Sequence, residues 1–326
     1  MTEPLITLEH VNRNFMAKGQ TIKAVDDINL TIQAGEVLCL VGESGCGKTT
    51  TGKMIAGLLP TSSGRVLYRG KDIAALAGAD RKNYRLGVQM VHQDPYASLN
   101  PVQTIYEILA APLQRHGFTR GEADTKRRVR ELFEIVDLTP PDDFMDKYPH
   151  QLSGGQRQRV SVARALTVQP KFIVADEAVS MVDVSIRISL LKMFTRLKDE
   201  MGVGVLLITH DLALAKYFAW EGRIGVMYLG RLVEIGQARA VVDHPQHPYT
   251  QVLLSAIPEP DPDASRAKKR IELRSADMPS LLQLPTGCAF HPRCPVFAGE
   301  ICEKIAPPLE QGKFGSAVAC HLARSS

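Results

Sequence analysis

The residues best suited to do chemistry stand in one glycine-rich run that matches the pattern G-x-x-x-x-G-K-[ST]: Gly42, Glu43, Ser44, Gly45, Cys46, Gly47, Lys48 and Thr49. Glycines allow successive backbone N–H groups to turn toward one anion, and the start of a helix adds partial positive charge there. Lys48 can reach the β- and γ-phosphates of a nucleotide, and the Thr49 hydroxyl can bind Mg²⁺. The run, with Thr50 after it, therefore predicts a site for ATP and Mg²⁺.

The flanking sequence favours this interpretation over a chance match. Ordinary residue frequencies produce such a pattern on the order of once in a hundred chains of this length. Here the apolar run VLCLV precedes the glycines and the helix-like run KTTTGKMIAGLL follows them. Strand, loop and helix in this order are the context that the pattern requires.

Two adjacent carboxylates supply the other half of this chemistry. Asp176 and Glu177 follow the apolar run Phe172-Ile173-Val174-Ala175, which predicts a buried strand. Asp176 suits Mg²⁺, directly or through a water, and Glu177 suits the base that in-line attack on a γ-phosphate needs. A strand that ends in Asp-Glu is by itself more often a surface turn, but the phosphate cradle upstream favours catalysis.

A second run of small residues opens another helix-like segment. Leu152-Ser153-Gly154-Gly155-Gln156 leads into QRQRVSVARALTVQ, which stops at Pro170. Small residues at a helix start make an anion site. One P-loop needs only one phosphate cradle, so the second one indicates that it serves the nucleotide of another subunit.

At these residues the chain resembles the ATP-binding subunits of ABC transporters, over essentially its whole length. The resemblance implies that two such subunits sandwich two ATP molecules, each between one subunit's P-loop and the other subunit's Leu-Ser-Gly-Gly-Gln motif. By this likeness Ser153 and Gly155, together with Gly154 and Gln156, form the surface that contacts the γ-phosphate bound across the dimer.

Four further positions match the family's functional residues. Gln93 matches the glutamine that reaches Mg²⁺ and the attacking water and lies at the contact with the membrane domain. His210 matches the histidine that binds the γ-phosphate, although a lone strand-end histidine is more often structural. Phe15 matches the aromatic residue that stacks on adenine, although it could equally belong to the core. Asp183 matches the aspartate of the loop that crosses the dimer interface.

The chain also departs from the family pattern in two places. Ala178 follows Glu177 where the family commonly has proline, and Met181-Val182 stand where it commonly reads Ala-Leu before Asp183. Every ionisable group remains, so we expect hydrolysis to be retained, whereas the communication between the two sites is left open.

Three separated segments resemble the dipeptide/oligopeptide importers: residues 94–101 (DPYASLNP), residues 247–250 (HPYT, continuing to Leu254 and Pro258) and the block GCAFHPRCP near the C-terminus. The resemblance implies partnership with a second ATPase subunit, related or identical, and with two membrane permease subunits. A solute-binding protein outside the cell would act indirectly, and the chain would lie peripherally on the cytoplasmic face of the cell membrane. Importers of nickel, glutathione and some oligosaccharides share this machinery and remain alternatives.

Two interpretations from other classes explain less of the sequence. A soluble ABC ATPase of DNA repair or translation would usually show two ATPase units in one chain or a long coiled-coil insertion. An iron–sulfur sensor would explain the cysteines but not the Leu-Ser-Gly-Gly-Gln motif together with Gln93 and His210. No nucleic-acid partner is expected, because the basic clusters at 126–128 and 268–270 are brief.

Four cysteines crowd the end of the chain at Cys288, Cys294, Cys302 and Cys320. We expect them to bind one [4Fe–4S] cluster, because the surrounding segment is short, broken by proline and poor in core residues. Zinc is the main rival, although Cys₄ zinc sites usually pair two C-x₂₋₄-C knuckles, which are missing here. His291 and His321 are possible substitute ligands, and disulfides are a weaker alternative in a reducing compartment.

These sites require elements that position them, and the sequence predicts an α/β fold with a P-loop NTPase core. The 326 residues carry a net charge of +4 and 44% hydrophobic residues, enough for a large core. Strands are predicted at 5–15, 22–32, 36–41, 65–68, 88–92, 172–175, 203–209 and 223–229. Helices at 104–115 and 119–138, the second capped by Thr119, predict a helical subdomain of about 95–160 inserted into a domain of 1–236. Prolines after 236 then predict a separate extension, 237–326. No apolar run is long enough to span a membrane.

Overall fold

The computed structural model describes residues 3–17, 19–180, 182–257 and 270–323. Some residues used in the sequence analysis lie outside these ranges: Met181, the prolines at 258, 260 and 262, and the basic residues at 268 and 269. The fold is α/β, as predicted, with two sheets and helices around them. The strands are β1 (Ile6–Ala17), β2 (Gln20–Ile32), β3 (Val37–Val41), β4 (Ser63–Tyr68), β5 (Lys71–Asp72), β6 (Val88–Val91), β7 (Phe172–Asp176), β8 (Gly204–Thr209), β9 (Arg223–Tyr228), β10 (Arg231–Gln237), β11 (Glu310–Gln311) and β12 (Ser316–Val318).

The larger sheet has the strand order β11-β12-β10-β9-β3-β8-β7-β6, and its five strands from β9 to β6 are parallel. The apolar runs in β3, β7 and β8 are buried at every position, as a parallel strand covered on both faces requires. Successive residues belong to opposite hydrophobic clusters: Cys39 and Val41 face one, Leu38 and Leu40 the other. This arrangement brings the carboxyl ends of β3, β6, β7 and β8 to one edge of the sheet.

The smaller sheet is antiparallel, in the order β2-β1-β4-β5. Its core residues, such as Ile6, Leu8 and Val25, are buried in the same cluster as Leu38 and Leu40 of the larger sheet. The smaller sheet therefore covers one face of the parallel strands.

Helices pack around the two sheets, and several of them fall within residues 95–160, where the sequence predicts a helical insertion. In chain order they are α1 (Lys48–Ile55), α2 (Gly78–Gly87), α3 (Pro95–Ser98), α4 (Ile105–Arg115), α5 (Gly121–Ile135), α6 (Asp142–Met145), α7 (Gly154–Leu166), α8 (Val184–Met201), α9 (Leu212–Phe218), α10 (Ala238–Asp243), α11 (Pro248–Ser255) and α12 (Glu300–Lys304). Thr104 caps α4 in a capping box with Glu107. The predicted Thr119 cap of α5 is wrong: Arg120 is the N-cap residue, and the buried Thr119 hydroxyl bonds to that of Thr125.

The last part of the chain packs on the sheet and extends it. β12 pairs antiparallel with β10, from Glu234 opposite Val318 to Gly236 opposite Ser316. The sequence did not predict β11 and β12, because both strands are short and the segment before them is interrupted by proline. The predicted boundary at 236/237 falls at the end of β10 and stays a prediction. Among the described residues, no helix is long and apolar enough to cross a membrane.

Candidate active site

The phosphate cradle connects the end of β3 to the start of α1, as the sequence predicts. Gly47, the N-cap of α1, has φ 102°, and a Cβ there would lie 2.3 Å from the Ala24 carbonyl oxygen. A Cβ on Gly42 would lie 2.2 Å from the carbonyl oxygen of Met227 in β9. Only glycine fits these two positions, because the cradle backbone runs against neighbouring backbone.

Lys48 and Thr49 both form hydrogen bonds at the start of α1. The Lys48 ammonium is buried and donates to the carbonyl oxygens of Gly42 at 2.7 Å and Glu43 at 2.9 Å. The Thr49 hydroxyl donates to Asp176 Oδ1 at 2.8 Å, which joins α1 to the end of β7. Burial raises the pKa of the Asp176 carboxyl above its usual value, although the Thr49 hydrogen bond opposes this shift. A hydroxyl oxygen beside a carboxylate oxygen is a pair of hard ligands of the kind that Mg²⁺ binds.

The three predicted catalytic side chains meet beside this oxygen pair. Gln93 Nε2 donates to Glu177 Oε2 at 3.1 Å, and His210 Nδ1 lies 3.2 Å from Glu177 Oε1. They come from the ends of three neighbouring strands, since Gln93 follows β6, Glu177 follows β7 and His210 follows β8. Glu177 has φ +44°, a conformation that only a few per cent of non-glycine residues adopt. The fold thus directs this carboxylate toward Gln93 and His210.

The Leu-Ser-Gly-Gly-Gln motif occupies a different place. Ser153 caps α7, accepting from the Gln156 backbone N–H at 3.3 Å, while Gln156 Oε1 accepts from the Ser153 N–H at 2.9 Å. Gly155 packs against Ile186 of α8, and a Cβ there would lie 2.7 Å from the Ile186 side chain. In the part of the chain that the structure describes, no hydrogen bond joins residues 153–156 to residues 42–49.

Phe15 and Asp183 lie at the margins of the site. Phe15 pairs with Ile22 in the antiparallel sheet and is 36% exposed, and the Arg13 guanidinium lies 4.7 Å from its ring centroid. One face of an exposed ring remains suited to stacking. Asp183 is exposed and precedes α8 without a side-chain cap bond. Neither residue contacts the three catalytic side chains through a hydrogen bond within the described ranges.

The four C-terminal cysteines surround one small cavity. Cys294, Cys302 and Cys320 are buried, Cys288 is half-buried, and all four are free thiols. Burial, with a smaller contribution from the other cysteines, raises the pKa of Cys288 and of Cys294 to about 11. Within the described ranges, no group of three or more His, Cys, Asp or Glu side chains is arranged to hold a metal ion.

The candidate histidine ligands make backbone contacts instead. His291 Nδ1 lies 3.0 Å from the Cys288 carbonyl oxygen, and His321 Nε2 lies 2.8 Å from that of Ile305. The buried His247 accepts from the Tyr249 N–H at 3.0 Å.

The sequence analysis missed two residues that contact the cradle. Arg293, next to Cys294, forms an ion pair with Glu43, and Tyr249 Oη accepts from the Glu43 backbone N–H. The sequence predicts that the backbone N–H groups of the cradle bind the nucleotide, whereas the Glu43 N–H donates to Tyr249 of the C-terminal extension. These contacts join positions 250 and 206 residues apart, and no local pattern signals them.

Comparison with known proteins finds a matching family model for each of two segments of the chain. Residues 25–180 match the family model "ABC transporter", and residues 233–302 match "Oligopeptide/dipeptide transporter, C-terminal region". The oligopeptide transport ATP-binding protein OppF of Salmonella typhimurium is 44% identical over 94% of this chain and 90% of its own length. YkfD of Bacillus subtilis, named as an oligopeptide transport ATP-binding protein, is 43% identical over 99% and 97%.

Solved structures show the same core. CbiO1 of Clostridium perfringens, part of an ABC transporter complex, is 26% identical with a TM-score of 0.64, covering 74% of this chain and 92% of that one. A dimeric ATP-binding cassette in a post-hydrolysis state with ADP and Pi is 28% identical with a TM-score of 0.64, over 72% and 99%.

Proposed function

The chain belongs to the ATP-binding subunits of ABC transporters that carry the oligopeptide/dipeptide C-terminal region, and from this we propose that it hydrolyses ATP to power import of di- or oligopeptides through a membrane permease. The observation that carries the proposal is the meeting of Gln93, Glu177 and His210 beside the phosphate cradle. A sensor that only binds nucleotide has no need of three convergent polar side chains at the γ-phosphate end.

Within this site each side chain has a separate task. Lys48 and the backbone N–H groups of the cradle bind the phosphates, and Thr49 with Asp176 would hold Mg²⁺. Glu177 accepts the proton of the attacking water, while Gln93 orients that water and His210 contacts the γ-phosphate. Gln93 and His210 both contact the Glu177 carboxylate, so they lie within reach of the water that Glu177 would activate.

The proposal includes an ATP sandwich of two subunits. Its support is the position of Ser153, whose exposed helix start forms no hydrogen bond with the described residues of its own cradle. A helix N-terminus of this kind suits the γ-phosphate bound by a facing subunit. Asp183, exposed beside it, would lie in the same interface. The partner is a second copy or a related chain.

We also propose that the permease docks at residues 94–101 and on the helical insertion. Arg157 of α7 stacks on Tyr96 with its guanidinium carbon 3.6 Å from the ring centroid, and Ser98 Oγ lies 3.2 Å from Ser161 Oγ. A groove of about 580 Å³ lies nearby, lined by Arg85, Arg115 and Arg164 among others. Movement of the docked segment would therefore reach α7, whose first turn carries the Leu-Ser-Gly-Gly-Gln motif. The subunit would then lie on the cytoplasmic face of the cell membrane.

For the four cysteines we propose one [4Fe–4S] cluster with a structural role. Four free thiols around one cavity support it, and a bound metal would displace their protons, including those of Cys288 and Cys294, whose pKa burial raises. Zinc needs its sulfurs close together, because each Zn–S bond is about 2.3 Å. Within the described residues no group of three or more ligands is already arranged for a metal ion, so the proposal rests on the four thiols that line one cavity. Anaerobically purified protein should contain iron and acid-labile sulfide, whereas stoichiometric zinc without iron would contradict the cluster.

The transport function is tested by purifying the chain from its native membrane and identifying its partners. We expect two permease subunits and one further ATPase subunit or copy. In vesicles, ATP hydrolysis should be stimulated by a binding protein loaded with peptide, and not with nickel, glutathione or oligosaccharide. Purification without any permease would favour a soluble ABC ATPase, and stimulation by one of the other solutes would reject peptides.

A further inference from the structure

The loop between Cys288 and Cys294 reaches across the fold to the phosphate cradle. Arg293 Nη1 donates to Glu43 Oε2 at 2.8 Å, and Nη2 donates to Glu43 Oε1 at 3.1 Å. Only 7% of the Arg293 side chain and 29% of the Glu43 side chain are exposed. A two-pronged pair of this kind fixes geometry as well as charge.

All three polar groups of Glu43 are held at the same time. Its backbone N–H donates to Tyr249 Oη at 2.9 Å, its carbonyl oxygen accepts from Lys48 Nζ at 2.9 Å, and its carboxylate bonds to Arg293. Glu43 follows the first glycine of the cradle, so its orientation sets the direction in which the next backbone N–H groups point. Two of its three anchors come from the C-terminal extension.

An aromatic cluster holds these anchors in place. Tyr228, Tyr249 and Phe290 have ring centroids 4.8, 5.2 and 5.3 Å apart, and Phe290 is 1% exposed. Tyr228 ends β9, whose Met227 carbonyl oxygen contacts the cradle at Gly42. The cradle is therefore packed between the end of β9 and residues of the extension.

We propose that Arg293 and Tyr249 are positioning residues for ATP binding, so that the 288–294 loop sets the affinity of the cradle for nucleotide. This inference rests on the ATP site proposed above. Its charge argument is specific: without Arg293, the Glu43 carboxylate remains part-buried and uncompensated beside a site that must bind a polyanion. A variant that removes the Glu43 charge loses the ion pair with Arg293 but adds no repulsion toward the phosphates.

The experiment measures the Kd of MgATP by calorimetry on the full-length subunit, and KM and kcat for ATP in the assembled complex. We expect Arg293→Gln to raise Kd and KM about tenfold, a typical coupling between linked sites, with kcat nearly unchanged at saturating ATP. Arg293→Lys, which keeps the charge but not the fork, should fall between wild type and Arg293→Gln. Glu43→Gln should weaken binding less than Arg293→Gln, and the double variant should resemble Glu43→Gln.

Arg223→Gln provides a matched control. Arg223 begins β9, at the opposite end of that strand from Tyr228, and pairs with the part-buried Glu36. This variant should lower the melting temperature without changing Kd. If Arg293→Gln lowers only the melting temperature as this control does, or if Glu43→Gln is the more damaging change, the positioning role is refuted. Lys48→Ala separates the two proposals: unchanged MgATP binding by that variant would reject the ATP site itself.

Discussion

Replacing Glu177 with Gln isolates the chemical step from nucleotide binding. The amide has the same size as the carboxylate and the same Cβ, so the backbone at φ +44° is under no new strain. Glutamine can still contact Gln93 or His210, which lie 3.1 and 3.2 Å from the carboxylate oxygens. It cannot accept a proton from water.

The expected magnitude follows from these contacts. A positioned general base contributes about 10²- to 10⁴-fold, so turnover should fall by that factor, or about 3–5 kcal/mol of activation free energy. The affinity for ATP should change by less than about threefold, since the phosphate-binding groups are Lys48, Thr49 and the cradle, and the Glu177 carboxylate bonds to none of them in the described residues. The ATP-bound dimer should accumulate because it can no longer be dissolved by hydrolysis.

Phosphate release by the assembled complex and size-exclusion chromatography of the subunit with ATP measure the two effects. Glu221→Gln is a matched control, because Glu221 is an exposed carboxylate whose ion pair among the described residues is with Arg239 at the surface. Phosphate release near the wild-type rate would refute the catalytic assignment of Glu177. A loss of ATP binding equal to the loss of turnover would show instead that Glu177 supports the cradle.

Three further predictions concern the surfaces around this centre. Ser153→Arg should abolish hydrolysis without weakening ATP binding to the monomer, and equal losses of binding and activity would contradict the proposed ATP sandwich. Ser153→Ala, which loses only the helix cap, should cost about 1 kcal/mol of stability. A cysteine at exposed Ala97 should crosslink to the permease, and no crosslink in an assembled complex would contradict the docking surface. Burial raises the pKa of Asp26, but its ion pairs with Lys23 and Arg231 outweigh that effect, so the pKa is lowered in the folded protein. Asp26→Asn should therefore lower the free energy of unfolding by about 1–3 kcal/mol at pH 7, and by little once the pH falls through the folded-state pKa. Exposed Asp27 provides the control for Asp26, and equal losses in the two asparagine variants during urea unfolding would contradict the prediction.

The sequence predicted the centre of the fold because its signals are local. The apolar runs of β3, β7 and β8 are short, continuous and followed by glycine or polar residues, which is typical of strands covered on both faces. Parallel strands deliver their carboxyl ends to one edge, so Gln93, Glu177 and His210 had to lie near one another. Their mutual hydrogen bonds follow from that topology.

The sequence could not predict the attachment of the extension. β12 has three residues and finds its partner in β10, which lies 82 positions earlier where Ser316 bonds to Glu234. Arg293 appears in the sequence only as a charge between two cysteines, and Tyr249 only as part of HPYT. Contacts of this range depend on how whole elements pack, and neither periodicity nor a turn signal encodes them. The Thr119 cap prediction was wrong for a local reason, because the hydroxyl of Thr125, six residues later, is the buried partner of the Thr119 hydroxyl.

The arrangement of contacts gives the proposed coupling to transport a physical route. Gln93 and His210 both contact Glu177, so a shift of either side chain would change the surroundings of the proposed base. Gln93 precedes the segment proposed to dock on the permease, and that segment is tied through Tyr96 and Arg157 to α7. In the proposed assembly a docked permease would therefore act on Gln93 and on the helix that carries Ser153 at once. With Ser153 completing the site of the other subunit, as proposed, one movement would change the surroundings of the base in one site and the closure of the other, which would link hydrolysis to the transport step.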